Sequence, residues 1–194
     1  WSEHNECCFC GTDRFFRPLY VSNLLEHWIP SLDGVKEKME SGVAVADIGC
    51  GLGSSTILMA KTFPNSKIYG FDFHEPSIIE ARKKVSDEGL TNIEFDVREA
   101  RDLPNNNYDF ACIFDALHDM GDPVGVSKAI LNTLNKDGTF MLVEPYAQDE
   151  LKDNLNVASG LFYFFSTFVC VPTSRSQDVG LQLGAQAGEK RLRS

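Results

Sequence analysis

Long apolar runs and basic residues are both scarce in this chain of 194 residues. No stretch of about 18 or more apolar residues occurs, which is the length that a membrane-spanning helix needs. The richest apolar run, Leu161 to Val171, is short and is interrupted by Ser166 and Thr167. We therefore expect no membrane span. The 18 lysines and arginines stand against 28 aspartates and glutamates, a formal net charge of −10. This balance disfavours nucleic acid as the main partner, because that binding depends on neutralising phosphates.

The sequence also lacks repeats, low-complexity segments and a secretory signal at Trp1. Its cysteines are Cys7, Cys8, Cys10, Cys50, Cys112 and Cys170. The last three lie in or beside predicted core elements, where a reduced cysteine acts as a small hydrophobic residue, so a cytoplasmic location is expected. The first three lack the paired spacing of common metal sites, and we predict no bound metal.

Alternate glycines separate a predicted strand from a predicted helix. The strand ends at Asp47 and Ile48, a turn follows with Gly49, Gly51 and Gly53, and the helix begins at Ser54 or Ser55. Glycine tolerates positive φ and lets the backbone approach a ligand, while the helix start presents free N–H groups to it. Dinucleotide enzymes use a similar turn. An acidic residue two positions before the first glycine, and a second strand ending at Asp72, favour S-adenosylmethionine and methyl transfer.

Strands and helices alternate through the middle of the chain. We predict strands at 43–48, 67–72, 92–97, 108–114 and 139–144, helices at 54–63, 76–88 and 122–134, and a turn at Asp137-Gly138. This order implies an α/β fold with a doubly wound, Rossmann-like, mostly parallel sheet. Right-handed crossovers then place a ligand crevice at the carboxyl ends of the strands.

Helices are also expected on both flanks of this region. Residues 22–40 form a predicted helix that is interrupted at Pro30 and Gly34. Residues 150–170 form an unusually aromatic helix, interpreted mainly as a buried core helix and alternatively as a wall or lid of a substrate pocket. Residues 177–193 are predicted as a last helix whose glycines form one closely packed face.

Four motifs in sequence order carry a family resemblance. They are 45–53 (VADIGCGLG), 69–72 (YGFD), 107–118 (NYDF with FDALH) and 134–145 (LNKDGTFMLVEP). In these four motifs the chain resembles class I S-adenosylmethionine-dependent methyltransferases. The flanking motifs 10–18 (CGTDRFFRP), 117–123 (LHDMGDP) and 184–189 (GAQAGE) resemble a bacterial-type subgroup. That subgroup carries a winged-helix domain ahead of the methyltransferase domain and is often described as transcription-regulator-like.

The resemblance implies a domain plan. Residues 1–40 form an N-terminal helical and linker segment, and residues 41–194 form the methyltransferase domain. Compared with the subgroup, a winged-helix domain is expected before Trp1 and two further antiparallel strands after Ser194, so the domain is expected to be incomplete at its C-terminus. The absent winged-helix domain would be a dimerisation element, which makes a homodimer a further expectation.

Roles for the first two strand ends follow from the same resemblance. Asp47 is expected near the amino group of S-adenosylmethionine, where a carboxylate faces a cation. Gly49, Cys50, Gly51, Gly53 and Ser54 form the turn around the nucleoside and methionine parts. Asp72 is expected to accept hydrogen bonds from the ribose hydroxyls.

Further cofactor contacts are implied after the second, third and fourth strands. Phe73 follows Asp72 and is expected to stack near the adenine. Glu99 and Ala100 stand where the family often has Gly-Asp-Ala, which makes Glu99 the acceptor for the adenine amino group. Phe114 and Asp115 follow the fourth strand and are expected to face the methionine part.

His118 matches a general-base histidine of small-molecule O-methyltransferases with a Leu-His-Asp motif. An imidazole suits proton removal from a hydroxyl near neutral pH. We expect a small, largely apolar acceptor and S-adenosylhomocysteine as the second product. A divalent ion held by Asp115, His118 and Asp119 is the weaker interpretation, since the sequence shows no further ligands.

Two other classes of function remain open at this point. The first is a regulator that senses S-adenosylmethionine without robust catalysis, because a fold alone does not settle function. The second is a nicotinamide-dependent reductase, which the position of Asp47 before the glycine turn disfavours.

Overall fold

A five-stranded sheet organises the chain, of which the computed structural model describes residues 4–194. The strands are β1 (Ala44–Ile48), β2 (Lys67–Asp72), β3 (Ile93–Val97), β4 (Tyr108–Phe114) and β5 (Leu134–Val143). Their order is β3-β2-β1-β4-β5, and β1 pairs in parallel with β2 and β4, as β2 does with β3. The predicted α/β doubly wound sheet is confirmed. Residues 1–3 of the predicted N-terminal segment lie outside the described residues.

Helices connect and follow the strands. They are α1 (Glu6–Leu19), α2 (Val35–Ser41), α3 (Ser54–Thr62), α4 (Glu75–Glu88), α5 (Pro123–Thr133), α6 (Val157–Phe165), α7 (Val171–Arg175) and α8 (Glu189–Leu192). A π-helical segment, Tyr20–Trp28, follows α1, and a second one, Ser166–Cys170, joins α6 to α7. The predicted interruption at Pro30 and Gly34 is confirmed, since Pro30 lies in a 3₁₀ turn and Gly34 has a φ of 70°.

The chain forms two compact units. The first comprises the described residues up to Ile113 together with Lys128–Met141, and the second comprises Phe114–Ser127 and Leu142–Ser194. In the first unit β1 is buried along almost its whole length, as expected of a central parallel strand. The register pairs Ile48 with Phe71 on β2, so that Asp47 and Asp72 lie at the same edge of the sheet. The predicted boundary near residue 40 stays a prediction.

Two predictions about the C-terminal half are wrong. Asp137 and Gly138 lie inside β5 and form no turn. A Cβ on Gly138 would stand 2.9 Å from the carbonyl oxygen of Tyr108, so the glycine permits close packing of β5. The predicted helix at 177–193 is reduced to α8. Positive φ angles at Val179 and Gln182 interrupt any earlier helix, because left-handed backbone cannot continue one.

The aromatic segment is helical as predicted, but the expectation of a buried core helix is wrong. Phe164 is 57 % and Phe168 is 64 % exposed. The continuous helical stretch Val157–Arg175 is long and apolar enough to cross a membrane, by length and composition only. A single helix of this kind is weak evidence for a span.

Candidate functional site

The three alternate glycines adopt the backbone conformation that the sequence predicts. Gly49, Gly51 and Gly53 have φ angles of 72°, 52° and 76°, a region that costs L side chains about 1–2 kcal/mol per residue. A Cβ on Gly51 would meet open space, whereas one on Gly53 would stand 2.6 Å from the ring of Phe95. Gly51 therefore presents bare backbone to its surroundings, and Gly53 allows the turn to pack on β3.

Backbone hydrogen bonds fix this turn on the end of β2. The N–H groups of Gly49 and Cys50 both donate to the carbonyl oxygen of Phe71, at 2.8 and 3.1 Å. The Cys50 side chain is buried, and this burial raises the pKa of its thiol well above its ordinary value. The structure places Cys50 in the turn, and its contact with a ligand stays a prediction. Ser54, the first residue of α3, donates from its hydroxyl to Asp13 at 2.5 Å.

Asp72 ties the glycine turn to the start of α4. Its carboxylate accepts hydrogen bonds from the backbone N–H groups of Gly51 and His74, both at 2.9 Å. Burial raises the pKa of Asp72, while these two N–H groups oppose the rise. Each carboxylate oxygen has a second lone pair, so the group retains capacity for hydroxyl donors such as those of a ribose.

Asp47 lies beneath the turn and is only 1 % exposed. Its Oδ2 accepts hydrogen bonds from the hydroxyls of Ser55 and Thr56, both at 2.7 Å. Burial raises the pKa of Asp47 to about 6, and the two hydroxyls partly offset that effect. The structure therefore shows Asp47 as an anchor for the start of α3. Its contact with a ligand amino group stays a prediction.

The remaining predicted adenine contacts follow β2 and β3. Phe73 is 40 % exposed directly after Asp72. Glu99 is exposed, and its negative charge adds a little to the rise in the pKa of Asp72. Ala100 is half-buried in the turn that Glu99 begins.

Helix α1 contributes contacts that the strand-based prediction missed. The ring of Phe9 stacks on His74 with centroids 3.9 Å apart and planes within 2°, and Asp13 accepts the hydrogen bond from Ser54. α1 thus contacts both segments that follow the first two strands. Asp13 belongs to the motif at 10–18, and this motif was the sequence signal that could have indicated a role for α1 at the site.

The second unit holds the other predicted residues. Phe114 is buried, and Asp115 has a φ of 51°, which is strained for a residue other than glycine. The Asp115 N–H donates to Val143 at 2.8 Å, but its buried Oδ1 has no hydrogen-bond partner. Burial raises the pKa of Asp115 well above its ordinary value.

His118 lies in a 3₁₀ turn, Leu117–Asp119, and is 3 % exposed. Its Nδ1 contacts the Glu144 carboxylate, and its Nε2 lies 3.3 Å from Oδ1 of Asp119. Glu144 also accepts the backbone N–H of Leu117 at 2.9 Å. Burial lowers the pKa of His118, but its contacts with Cys170, Glu144 and Asp119 outweigh burial and raise the pKa well above its ordinary value.

These contacts bear on the predicted base role of His118. A doubly protonated imidazole has no lone pair with which to accept a proton, and each ring nitrogen already faces a carboxylate. The base role stays a prediction that the geometry does not favour. Sequence reasoning treated Glu144 as a strand end and Cys170 as core, because no local spacing connects either residue to His118.

A family model described as "Methyltransferase domain" matches residues 39–168 of the chain. Among curated relatives, a tRNA U34 carboxymethyltransferase from Campylobacter lari is 34 % identical over 113 residues, which are 56 % of this chain and 38 % of that protein. A demethylmenaquinone methyltransferase from Listeria monocytogenes is 27 % identical over 110 residues, 55 % of this chain and 46 % of that protein. The chain thus spans less than half the length of these two relatives.

A solved structure supports the same fold. A Methanococcus maripaludis protein, provisionally described as an S-adenosyl-L-methionine-dependent methyltransferase, aligns with a TM-score of 0.59 and 19 % identity. The alignment covers 80 % of this chain and 69 % of that protein. At this identity the likeness concerns the fold alone.

Proposed function

The chain belongs to the methyltransferase domain family, and from this premise we propose that it binds S-adenosylmethionine at the glycine turn and transfers the methyl group to a small, largely apolar acceptor. Because the methyl group of this sulfonium is already electrophilic, the protein chiefly has to align it with a nucleophile. Proximity and orientation supply about 7–11 kcal/mol of barrier reduction in such reactions.

The glycine turn and Asp72 are the observation that carries this proposal. The backbone of Gly51 faces open space at a positive φ, and its N–H is held by the Asp72 carboxylate. A helix start of this kind presents N–H groups to a ligand, and the Asp72 carboxylate retains lone pairs for hydroxyl donors such as those of a ribose. The proposal does not depend on His118 as a base.

The identity of the acceptor is argued from charge and surface. The two relatives named above differ in substrate, since one is named for tRNA and the other for demethylmenaquinone. The net charge of −10 disfavours RNA, and the exposed rings of Phe164 and Phe168 favour an apolar acceptor. We therefore propose an apolar small molecule in preference to a nucleic acid.

Titration calorimetry on the whole chain tests the cofactor. We expect binding of S-adenosylmethionine and S-adenosylhomocysteine and none of NADH. Asp72→Asn removes one charged acceptor and should weaken binding about 10–100-fold, since hydrogen bonds to charged groups contribute about 1.5–3 kcal/mol.

Glu94→Gln is the matched control for this experiment. This substitution removes the same charge on neighbouring β3. Glu94 pairs with Lys67 at the surface, so the variant should bind the cofactor as the parent chain does. Equal affinities of the Asp72 and Glu94 variants, in chains with unchanged thermal melting, would contradict the proposal. Binding of NADH in place of S-adenosylmethionine would also contradict it.

A further inference from the structure

We propose that His118, Asp119 and Cys170 form a binding site for a divalent transition-metal cation of the zinc type. All three residues lie in the second unit. One ligand atom from each, an imidazole nitrogen, a carboxylate oxygen and a thiol sulfur, lies within 4.8 Å of the others. This site is inferred from contacts within the second unit alone and does not rest on the proposed methyl transfer.

The spacing of these atoms suits a tetrahedral ion. The Nε2 atom of His118 lies 3.3 Å from Oδ1 of Asp119. Zinc bonds of about 2.0–2.1 Å to nitrogen and oxygen at a tetrahedral angle place such atoms about 3.3 Å apart. The ion therefore fits between the two atoms without a change in their separation.

Two buried carboxylate oxygens beside His118 have no hydrogen-bond partner. Oδ1 of Asp119 is buried and has no hydrogen bond of normal geometry; the His118 ring is its ion-pair partner at 3.3 Å, and a cation bound between the two atoms would take the place of the Nε2 proton. The buried Oδ1 of Asp115 also has no partner, and the Asp115 carboxylate lies within 4.8 Å of ligand atoms of His118 and Glu144. Buried acceptors of this kind are costly unless they meet a donor or a cation.

Glu144 supplies the outer support that metal-bound histidines usually have. It contacts Nδ1 of His118 and accepts the N–H of Leu117. With the Nδ1 proton held by this carboxylate, loss of the second ring proton exposes the Nε2 lone pair to a metal, as in carboxylate–histidine–zinc arrangements.

The choice of metal follows from the ligands. One nitrogen, one oxygen and one sulfur suit zinc, whereas magnesium and calcium prefer oxygen alone. Three protein ligands leave a fourth position for water or another ligand. On binding, the Cys170 thiol and Nε2 of His118 each lose a proton to solvent, and the thiolate sulfur and the Nε2 lone pair form the bonds to the metal.

Metal titration of the whole chain tests this site. The exposed or half-exposed thiols of Cys7, Cys8 and Cys10 are first replaced together by serine, so that adventitious binding near the N-terminus is removed. After chelation, this parent variant should bind one equivalent of Zn²⁺, and Co²⁺ should produce a sulfur-to-cobalt charge-transfer band.

Two further substitutions in that background assign the site. Cys170→Ser should abolish the charge-transfer band and weaken zinc binding. Glu144→Gln should weaken zinc binding about 10–100-fold and keep the band, because an outer carboxylate orients the ligand without touching the metal. Cys112 is a buried cysteine of the first unit. Cys112→Ser is therefore the matched control and should change neither the charge-transfer band nor the zinc affinity.

Three results would overturn the site. They are no zinc bound by the parent variant, a charge-transfer band that survives Cys170→Ser, and a zinc affinity that Cys170→Ser leaves unchanged. Circular dichroism of each chelated variant shows that the comparison is made between folded chains.

Discussion

Asp47 has two opposing effects on stability, since its hydrogen bonds anchor α3 while the burial of its charge destabilises the folded state. Its buried carboxylate holds two hydroxyls at the start of α3, and burial raises its pKa from 3.8 to about 6. The folded state therefore binds the Asp47 proton more tightly than the unfolded state does. Between these two pKa values the free energy of unfolding falls as the pH rises, by about 3 kcal/mol in total.

Asp47→Asn should remove this loss of stability. An amide oxygen can still accept from Ser55 and Thr56, and the amide carries no charge to desolvate. We expect the variant to exceed the parent chain in free energy of unfolding by about 1–3 kcal/mol at pH 7, with the difference vanishing below pH 4. Urea unfolding followed at several pH values measures this.

Asp87→Asn supplies the control for that measurement, because Asp87 is exposed on α4. Its stability profile should follow that of the parent chain. If the free energies of unfolding of the Asp47 variant and the parent chain changed in parallel across pH 4–7, ionisation of Asp47 would not destabilise the folded state, and the prediction would be contradicted.

For single residues, the backbone conformation of the turn glycines was predictable from the sequence, whereas the contact partners of buried side chains were not. The glycines at 49, 51 and 53 all adopt the positive φ that their residue type favours. By contrast, the pairing of His118 with Glu144, 26 residues away, depends on how the chain returns after β5. Local spacing carries no information on such a contact.

At the scale of elements, strands were predicted well where they alternate with helices. β1, β2 and β4 begin and end within one residue of prediction, because buried parallel strands are short continuous apolar runs. The segment at 177–188 was mistaken for a helix because its small residues recur every four positions. Positive φ angles in this segment prevent a helix, and the four-residue spacing of small residues does not predict them.

The start of α6 depends on a single cap. The Asn156 side chain accepts the Ser159 N–H at 3.0 Å. Asn156→Ala should therefore lower the free energy of unfolding by about 1 kcal/mol. Asn156→Asp keeps the acceptor and adds a negative charge at the helix start, so it should match or exceed the parent chain.

Thermal melting of the three chains measures the effect of this cap. Equal midpoints for the alanine and aspartate variants would mean that the hydrogen bond does not stabilise α6. A loss confined to the alanine variant assigns the effect to the side-chain acceptor.

At the scale of the whole molecule, strong net charge accompanies one exposed apolar helix. A charge of −10 opposes self-association, whereas exposed aromatic rings on α6 and the following π-helical segment favour it. Contiguous exposed apolar surface usually marks a contact site. The balance between these effects depends on salt, because added salt screens charge repulsion and leaves the apolar attraction in place.

Replacing both Phe164 and Phe168 by serine should shift that balance towards the monomer. Both rings are more than half exposed, so the substitutions should leave the melting midpoint nearly unchanged. The parent chain should associate more as salt rises, and the double variant should not, as measured by light scattering over a salt series. Val21→Ser removes an exposed apolar side chain elsewhere and should behave like the parent chain. If the double variant associates as strongly as the parent at high salt, the attraction arises from another surface, and the aromatic helix then has no part in assembly.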